Sequence, residues 1–223
     1  GVHYAKAWPQ LKALAELREA PVMTTLGGKS SFPENHPLSL GSGGIGIGEH
    51  LWHFLQNADT IFGIGCSFTR TSFGTAMPKG KKIIHATLDP LAINKDVPVD
   101  LAAVGDAGLT LDAVLEEVRD RLKGRPRDRL APVTREIRGH REEWLGKWKH
   151  RLTADTAPIS PYRIVWDLLH TVDVNNTIIT HDAGSPRDQI SPFWVSNKPL
   201  SYLGWGKTTQ LGYGLGLAMG AKL

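Results

Sequence analysis

Apolar and polar positions along this chain switch repeatedly between a helical period and a strand period. Leu11, Leu14 and Ala15 follow Pro9 at helical intervals, and a proline suits a first helical turn. PVMTTL (21–26) has a strand composition. Leu51, Phe54, Leu55 and Ala58 then mark one apolar face of a helix. TIFGIG (60–65) and KIIHATL (82–88) are short continuous apolar runs, as expected of strands buried on both faces, and LAAVGD (101–106) reads as another strand. Leu111, Val114, Leu115, Val118 and Leu122 form a clear amphipathic stripe. The alternation predicts an α/β fold, a parallel sheet covered by helices.

A Pro- and Arg-rich break, GRPRDRLAP (124–132), interrupts the pattern. Beyond it, Ile137, Trp144, Trp148 and Leu152 predict a helix whose apolar edge straps one unit to another. TADTAPISP (153–161) is a second break. Its Ser160-Pro161 pair suits an N-cap and first turn, and a helix through Ile164, Val165, Leu168 and Leu169 leads to a strand in NTIITHD (176–182). The expected organisation is a first domain over 1–123, a basic linker with a connecting helix over 124–157, and a second α/β unit over 158–223. The tail TQLGYGLGLAMGAKL is too glycine-rich to be a good autonomous helix, so its backbone is expected to approach something closely. The second unit reads as truncated, and the whole as a piece of a larger enzyme.

Composition narrows the classes. Hydrophobic residues make up 41% and charged residues 22%, as in globular proteins. No apolar run approaches the roughly 20 residues needed to span a bilayer, so no membrane partner is expected. The single Cys66 cannot form an internal disulfide, no secretory pattern opens the chain, and the expected location is cytoplasmic. Much of the excess of basic residues behind the net charge of +4 lies between Lys123 and Arg151. Glu136, Glu142 and Glu143 offset part of it and no nucleic-acid motif accompanies it, so it reads as a solvated helix.

Several short motifs could carry chemistry. GSGGIGIG (41–48) contains a formal GxGxxG, but HPLSL before it is a poor strand, so the glycines read as a loop lying close to a ligand or a neighbouring domain. Gly65, Cys66 and Ser67 follow a predicted strand, where open α/β sheets place ligands. Cys66 has no evident base and reads as a small buried side chain. Asp89 suits either a ribose hydroxyl or a turn with Pro90. His50 and His53 lie three apart on a helix, without a matching set of further metal ligands, and read as packing or surface histidines. DAGS (182–185) follows a strand and is either an anion-binding turn or an ordinary strand exit.

In order, PVMTTLGGKSSFPENHPLSLG, ADTIFGIGCSF, KIIHATLDPLAINK and VGDA resemble the central domain of the thiamine-diphosphate-dependent acetolactate synthase family. PISPYRIVWDLL, TIITHDAGS and TTQLGYGLGLAMGAKL resemble the opening of its diphosphate-binding domain. The resemblance implies a Rossmann-like, DHS-like central sheet and a thiamine-diphosphate-dependent lyase or transferase acting on 2-oxo acids. It also implies Mg2+ and a homodimer or homotetramer completed by the remaining domains of the polypeptide. Asp182, Gly184 and Ser185 would lie at the diphosphate end. Thr209, Gln210, Leu211 and Gly212 would line the cofactor, with Leu211 wedging it into a bent shape. Thr25, Leu26, Gly65, Cys66, Ser67, Asp89, Asp106 and Ala107 would form a nucleotide site. Departures at Ser67, Thr69, Thr71 and Thr87 count against FAD and leave ADP, or an empty site, open. Pro186 and Arg187 replace the family's His-Gln pair. The activating glutamate and the metal-binding segment have no counterpart in the chain, which holds no metal ligand by this reading and is expected to be inactive alone. The alternative is a non-catalytic module binding ADP, FAD or NAD.

Overall fold

The computed structural model describes residues 1–223 except Phe73, Gly124, Pro126, Arg127 and 205–209. The first part runs α1 (Trp8–Arg18), β1 (Val22–Thr24), β2 (Ser39–Ser42), α2 (Glu49–Asn57), β3 (Thr60–Ile64), β4 (Lys82–Thr87), β5 (Leu101–Val104) and α3 (Ala107–Leu122). It continues through α4 (Leu130–Leu152) and α5 (Pro161–Thr171) to β6 (Ile179–Thr180), α6 (Ser185–Ile190), β7 (Tyr202–Leu203) and α7 (Gly214–Lys222). β1 pairs with β2, β3, β4 and β5 lie side by side in that order, and β6 pairs with β7. Every pairing is parallel, so each strand needs a crossover before its neighbour. The fold is α/β, with the Rossmann-like parallel sheet expected of the first part.

The predicted elements have physical origins that the contacts make plain. Pro9 occupies the first turn of α1, and Asp106 opens α3 by accepting the N–H groups of Gly108 (2.8 Å) and Leu109 (3.1 Å). The apolar stripe of α3 buries Leu111 and Leu115 against Val2, Ala7 and Leu14, which joins α3 to α1. A second cluster, Phe32, Leu38, Leu40 and Leu51, receives Val133 and Ile137 from α4. A third unites Leu26 with Ile179, Trp194 and Tyr202, and a fourth places Trp144 and Leu152 of α4 against Val165 and Phe193.

Four expectations need correction. The run at Thr60–Ile64, read as a strand buried on both faces, leaves Thr60 and Phe62 exposed, because β3 lies at the edge of the three-stranded sheet. Ser39–Ser42, read as a poor strand, is β2, because register with β1 supplies the hydrogen bonds that its own composition does not favour. Leu130, Ala131 and Pro132, assigned to the break, form the first turn of α4, where a proline lacks no hydrogen bond the helix needs. The strand expected over 176–182 is confined to Ile179–Thr180, because Asp173 caps a 3-10 turn at Val174–Asn176.

Candidate cofactor-binding site

The end of β6 and the loop before α7 are laced together by one carboxylate. Asp182 Oδ1 accepts the Gly214 N–H at 2.6 Å, and Oδ2 accepts the Gly212 N–H at 3.1 Å. Foremost among its causes, the Gly214 N–H holds the Asp182 carboxyl below its ordinary range, and Gly212 adds to it. Thr180 Oγ1 donates to the Gly214 carbonyl at 2.8 Å, and the Ala183 N–H reaches the Gln210 carbonyl at 3.4 Å. Gly214 comes so close to His181 and Asp182 that a Cβ there would meet backbone at 3.0 Å. The lacing therefore brings Asp182, Gly184, Ser185, Gln210, Leu211 and Gly212 together. Thr209 lies outside the described residues.

This edge presents a particular surface. Gly184 has φ +80, a backbone side chains rarely adopt, and open space where a Cβ would lie. Gly212, at φ +76, likewise has no atom of the described residues within 4 Å of where a Cβ would lie. Leu211 stands beside it 75% exposed, while Ser185 and Gln210 are exposed as well. A shallow concavity of about 430 Å³ continues along Leu203, Tyr213, Gly216, Leu217, Gly220 and Ala221.

His181, which the sequence reading passed over, sits buried beneath the turn. Its Nδ1–H donates to the Asp182 carbonyl at 2.8 Å, and its buried Nε2 has no hydrogen-bond partner among the described residues. Burial lowers its pKa, so the ring is neutral. A Cβ at Gly204 would collide with Nε2, a close approach between residues whose proximity no local pattern reveals. Arg187 is buried beside it and donates through Nε to Asp188 at 2.8 Å.

A polar junction holds this second part against the first. Lys29 Nζ donates to both Glu34 oxygens at 2.6 Å and to the Trp194 carbonyl at 2.8 Å. Glu34 also accepts the Ser196 N–H at 2.8 Å, and its own N–H donates to the Ser196 carbonyl at 3.0 Å. Desolvation pulls the Lys29 amine below the ordinary lysine range, and the Glu34 carboxylate opposes that shift. His50 Nε2 donates to the Leu40 carbonyl at 3.0 Å and its ring lies against Trp144, which stacks on Phe193. Desolvation, reinforced by Arg141, lowers His50 to about 4. A small cavity of about 80 Å³ remains among Lys29, His50, Arg141, Trp144 and Trp194.

The glycine loop after β2 belongs to the same junction. A Cβ at Gly46 would fall 2.6 Å from the Asp188 carbonyl, so this glycine permits contact with α6. Here a strand does precede the glycines and a helix follows, but the close approach is to a neighbouring part of the chain.

The residues expected at a nucleotide site are more dispersed. Gly65, Cys66 and Ser67 leave β3, Asp89 follows β4, and Asp106 and Ala107 follow β5, all at the same edge of one sheet. Their carboxylates have local tasks: Asp89 accepts the Leu91 N–H at 2.9 Å in a 3-10 turn, and Asp106 caps α3. The Cys66 carbonyl accepts from buried His85 at 2.8 Å. Thr25 is exposed at the end of β1, whereas Leu26 is buried against Ile179, Trp194 and Tyr202.

The sequence model of one family, described as "Thiamine pyrophosphate enzyme, central domain", matches residues 1–114. The chain belongs to this thiamine pyrophosphate enzyme family. Along its whole length it is similar to acetolactate synthase large subunits. It is 33% identical to the probable large subunit of Methanocaldococcus jannaschii and 32% identical to that of Methanococcus aeolicus, in each case over 100% of this chain and 38% of the relative. It is 26% identical to the isozyme 3 large subunit of Escherichia coli, over 96% of the chain and 37% of that protein. The chain thus spans well under half the length of these relatives. For a thiamine pyrophosphate enzyme, the edge built on Asp182 suits a diphosphate-bearing cofactor. Gly184 and Gly212 border open space that a Cβ would fill, and an exposed Leu211 offers an apolar contact between them.

Proposed function

We propose that this chain supplies the central domain, 1–123, a linking segment, 124–157, and the opening of the diphosphate-binding domain, 158–223, of a thiamine-diphosphate-dependent enzyme. The proposed reaction is decarboxylation or carboligation of a 2-oxo acid, in the lyase or transferase class, in a cytoplasmic homodimer or homotetramer. The observation that carries the reading is the lacing of Gly212 and Gly214 onto Asp182, which sets Leu211 beside the Gly184 turn. Gly184 and Ser185 would face the diphosphate, and Gln210, Leu211 and Gly212 the body of the cofactor. Thiamine diphosphate, when bound, supplies the electron sink, and the protein supplies orientation and water exclusion. Asp182 acts as a positioning residue, because both its oxygens are already occupied by backbone N–H groups.

Mg2+ and the activating glutamate belong, in this reading, to parts of the enzyme beyond these residues. The chain alone is therefore expected to bind thiamine diphosphate weakly and to turn over no pyruvate. Amide NMR during titration with thiamine diphosphate and Mg2+ tests both points. Shifts confined to 182–185 and 210–214 at millimolar ligand are expected. Shifts centred elsewhere would overturn the site, and micromolar affinity or turnover would overturn the division of labour. The same titration with ADP, FAD and NAD tests the second reading, a nucleotide site on the shared edge of β3, β4 and β5. Shifts at Gly65–Ser67 and Asp106 would support it.

A further inference from the structure

Among the described residues, one group of three side chains can converge on a single metal ion, and it lies away from the cofactor edge. His53 comes from α2, while Glu136 and His140 stand four residues apart on the facing side of α4. The ligand atoms of all three lie within 4.8 Å of one another. His53 Nε2 is 3.1 Å from Glu136 Oε1, and the His53 and His140 rings lie with centroids 3.9 Å apart, tilted by 30°. Packing of Leu51 on α2 against Val133 and Ile137 on α4 fixes the two backbones that carry them. The ring edges also rest on Phe54. His50, three residues earlier, points inward to Leu40 and Trp144, so the two histidines of α2 do not share a ligand.

We propose that His53, Glu136 and His140 bind a divalent transition-metal ion of the zinc class, which staples α2 to α4. Zinc bonds of about 2.0–2.1 Å place tetrahedral donors about 3.3 Å apart, within a small side-chain adjustment of the present arrangement. Two imidazole nitrogens and one carboxylate select Zn2+, Co2+ or Ni2+ over Mg2+ or Ca2+, which prefer oxygen. A lone carboxylate can balance one imidazolium, whereas a dication draws lone pairs from both rings and the carboxylate at once. The His53 and Glu136 side chains are 34% and 48% exposed, so an ion can enter from solvent and water can complete the coordination. The site's role is structural. It sets where α4 lies, and α4 carries Arg141 and Trp144 to the junction with the second part.

The test is calorimetric titration of the tag-free, EDTA-treated chain with Zn2+, alongside the visible spectrum of the Co2+-loaded protein. One ion per chain with micromolar or tighter Kd is expected, with Co2+ bands of a four-coordinate nitrogen and oxygen site. His53→Gln and His140→Gln should each weaken Zn2+ at least tenfold and abolish the Co2+ bands. His150→Gln, at an exposed histidine near the end of α4, should change neither. Zn2+ in excess should raise Tm by several degrees in the unsubstituted chain and not in His140→Gln. The inference is overturned if the unsubstituted chain binds less than one ion or gives no such bands, or if the two glutamine variants, with unchanged circular dichroism, bind as tightly as the parent.

Discussion

Two carboxylates, Glu34 and Asp182, each tie distant segments together, and they do so in opposite surroundings. Glu34 is 5% exposed, faces an ammonium and accepts a backbone N–H besides. Asp182 is only partly buried, forms no ion pair among the described residues, and is held by the backbone N–H groups of Gly212 and Gly214. The first arrangement closes a junction; the second leaves its neighbours Gly184, Leu211 and Gly212 open to whatever binds there. Buried, fully paired charge makes the frame, and backbone lacing at the surface makes the site. The largest expected effect lies in the frame. Lys29→Met strands the Glu34 carboxylate and should cost about 3–5 kcal/mol in urea denaturation. Lys29→Met with Glu34→Gln should recover part of that loss, since glutamine still accepts the Ser196 N–H. Equal losses in the single and double variants would mean that the ion pair does not hold the junction.

Acid should weaken the frame next. His50 belongs to the frame, and its folded pKa of about 4 lies below the ordinary 6.5. The unfolded chain therefore takes up a proton first, and stability falls as pH drops from about 6.5 toward 4. By pH 4 the loss from this one group is about 3 kcal/mol. His50→Gln retains a donor for the Leu40 carbonyl and cannot titrate in this range. Urea melts at pH 7 and pH 4 should show a smaller acid loss in the variant than in the parent. Identical losses would place the acid sensitivity elsewhere.

The same contrast explains what the sequence discloses. The α3 stripe, Leu111 to Leu122, is legible because its partners recur every three or four residues along one helix. Ser39–Ser42 is not, since it becomes a strand only through β1. The DAGS turn and the Gln210–Gly212 stretch are recognisable as motifs, yet nothing in their spacing reveals that Asp182 joins them across some 30 residues. Lys29 meets the Trp194 carbonyl across 165 residues, and His53 meets Glu136 across 83. Only the Glu136–His140 spacing is local, and two ligands of three resemble any solvated helix face.

At the site itself the effect should be local. Asp182→Asn keeps one acceptor and loses the charge, so the Gly212 and Gly214 amides should exchange with solvent faster than in the parent. The sign with pH follows from the lowered folded pKa of Asp182. Its contribution is complete above the ordinary carboxylate range and is lost as pH falls through the folded value. Protonation of Asp182 should thus imitate Asp182→Asn, and NMR exchange at Gly214 should converge in the two proteins at acid pH. Unchanged exchange in Asp182→Asn would show that the loop is held without the carboxylate.

The smallest effect is expected on the outer face of α7, where Leu215 is 74% and Met219 65% exposed. Little apolar area of Leu215 is removed from water in this chain, so its replacement by serine forfeits little of the burial that stabilises core leucines. Leu215→Ser should change the urea-derived stability by no more than about 0.5 kcal/mol, as for other exposed positions. Leu215 is as apolar as Leu111 and differs in being 74% exposed where Leu111 is buried. A loss above about 1 kcal/mol would mean that α7 is packed in solution. The second part would then be as closed as the junction at Glu34, and Asp182 would belong to the frame.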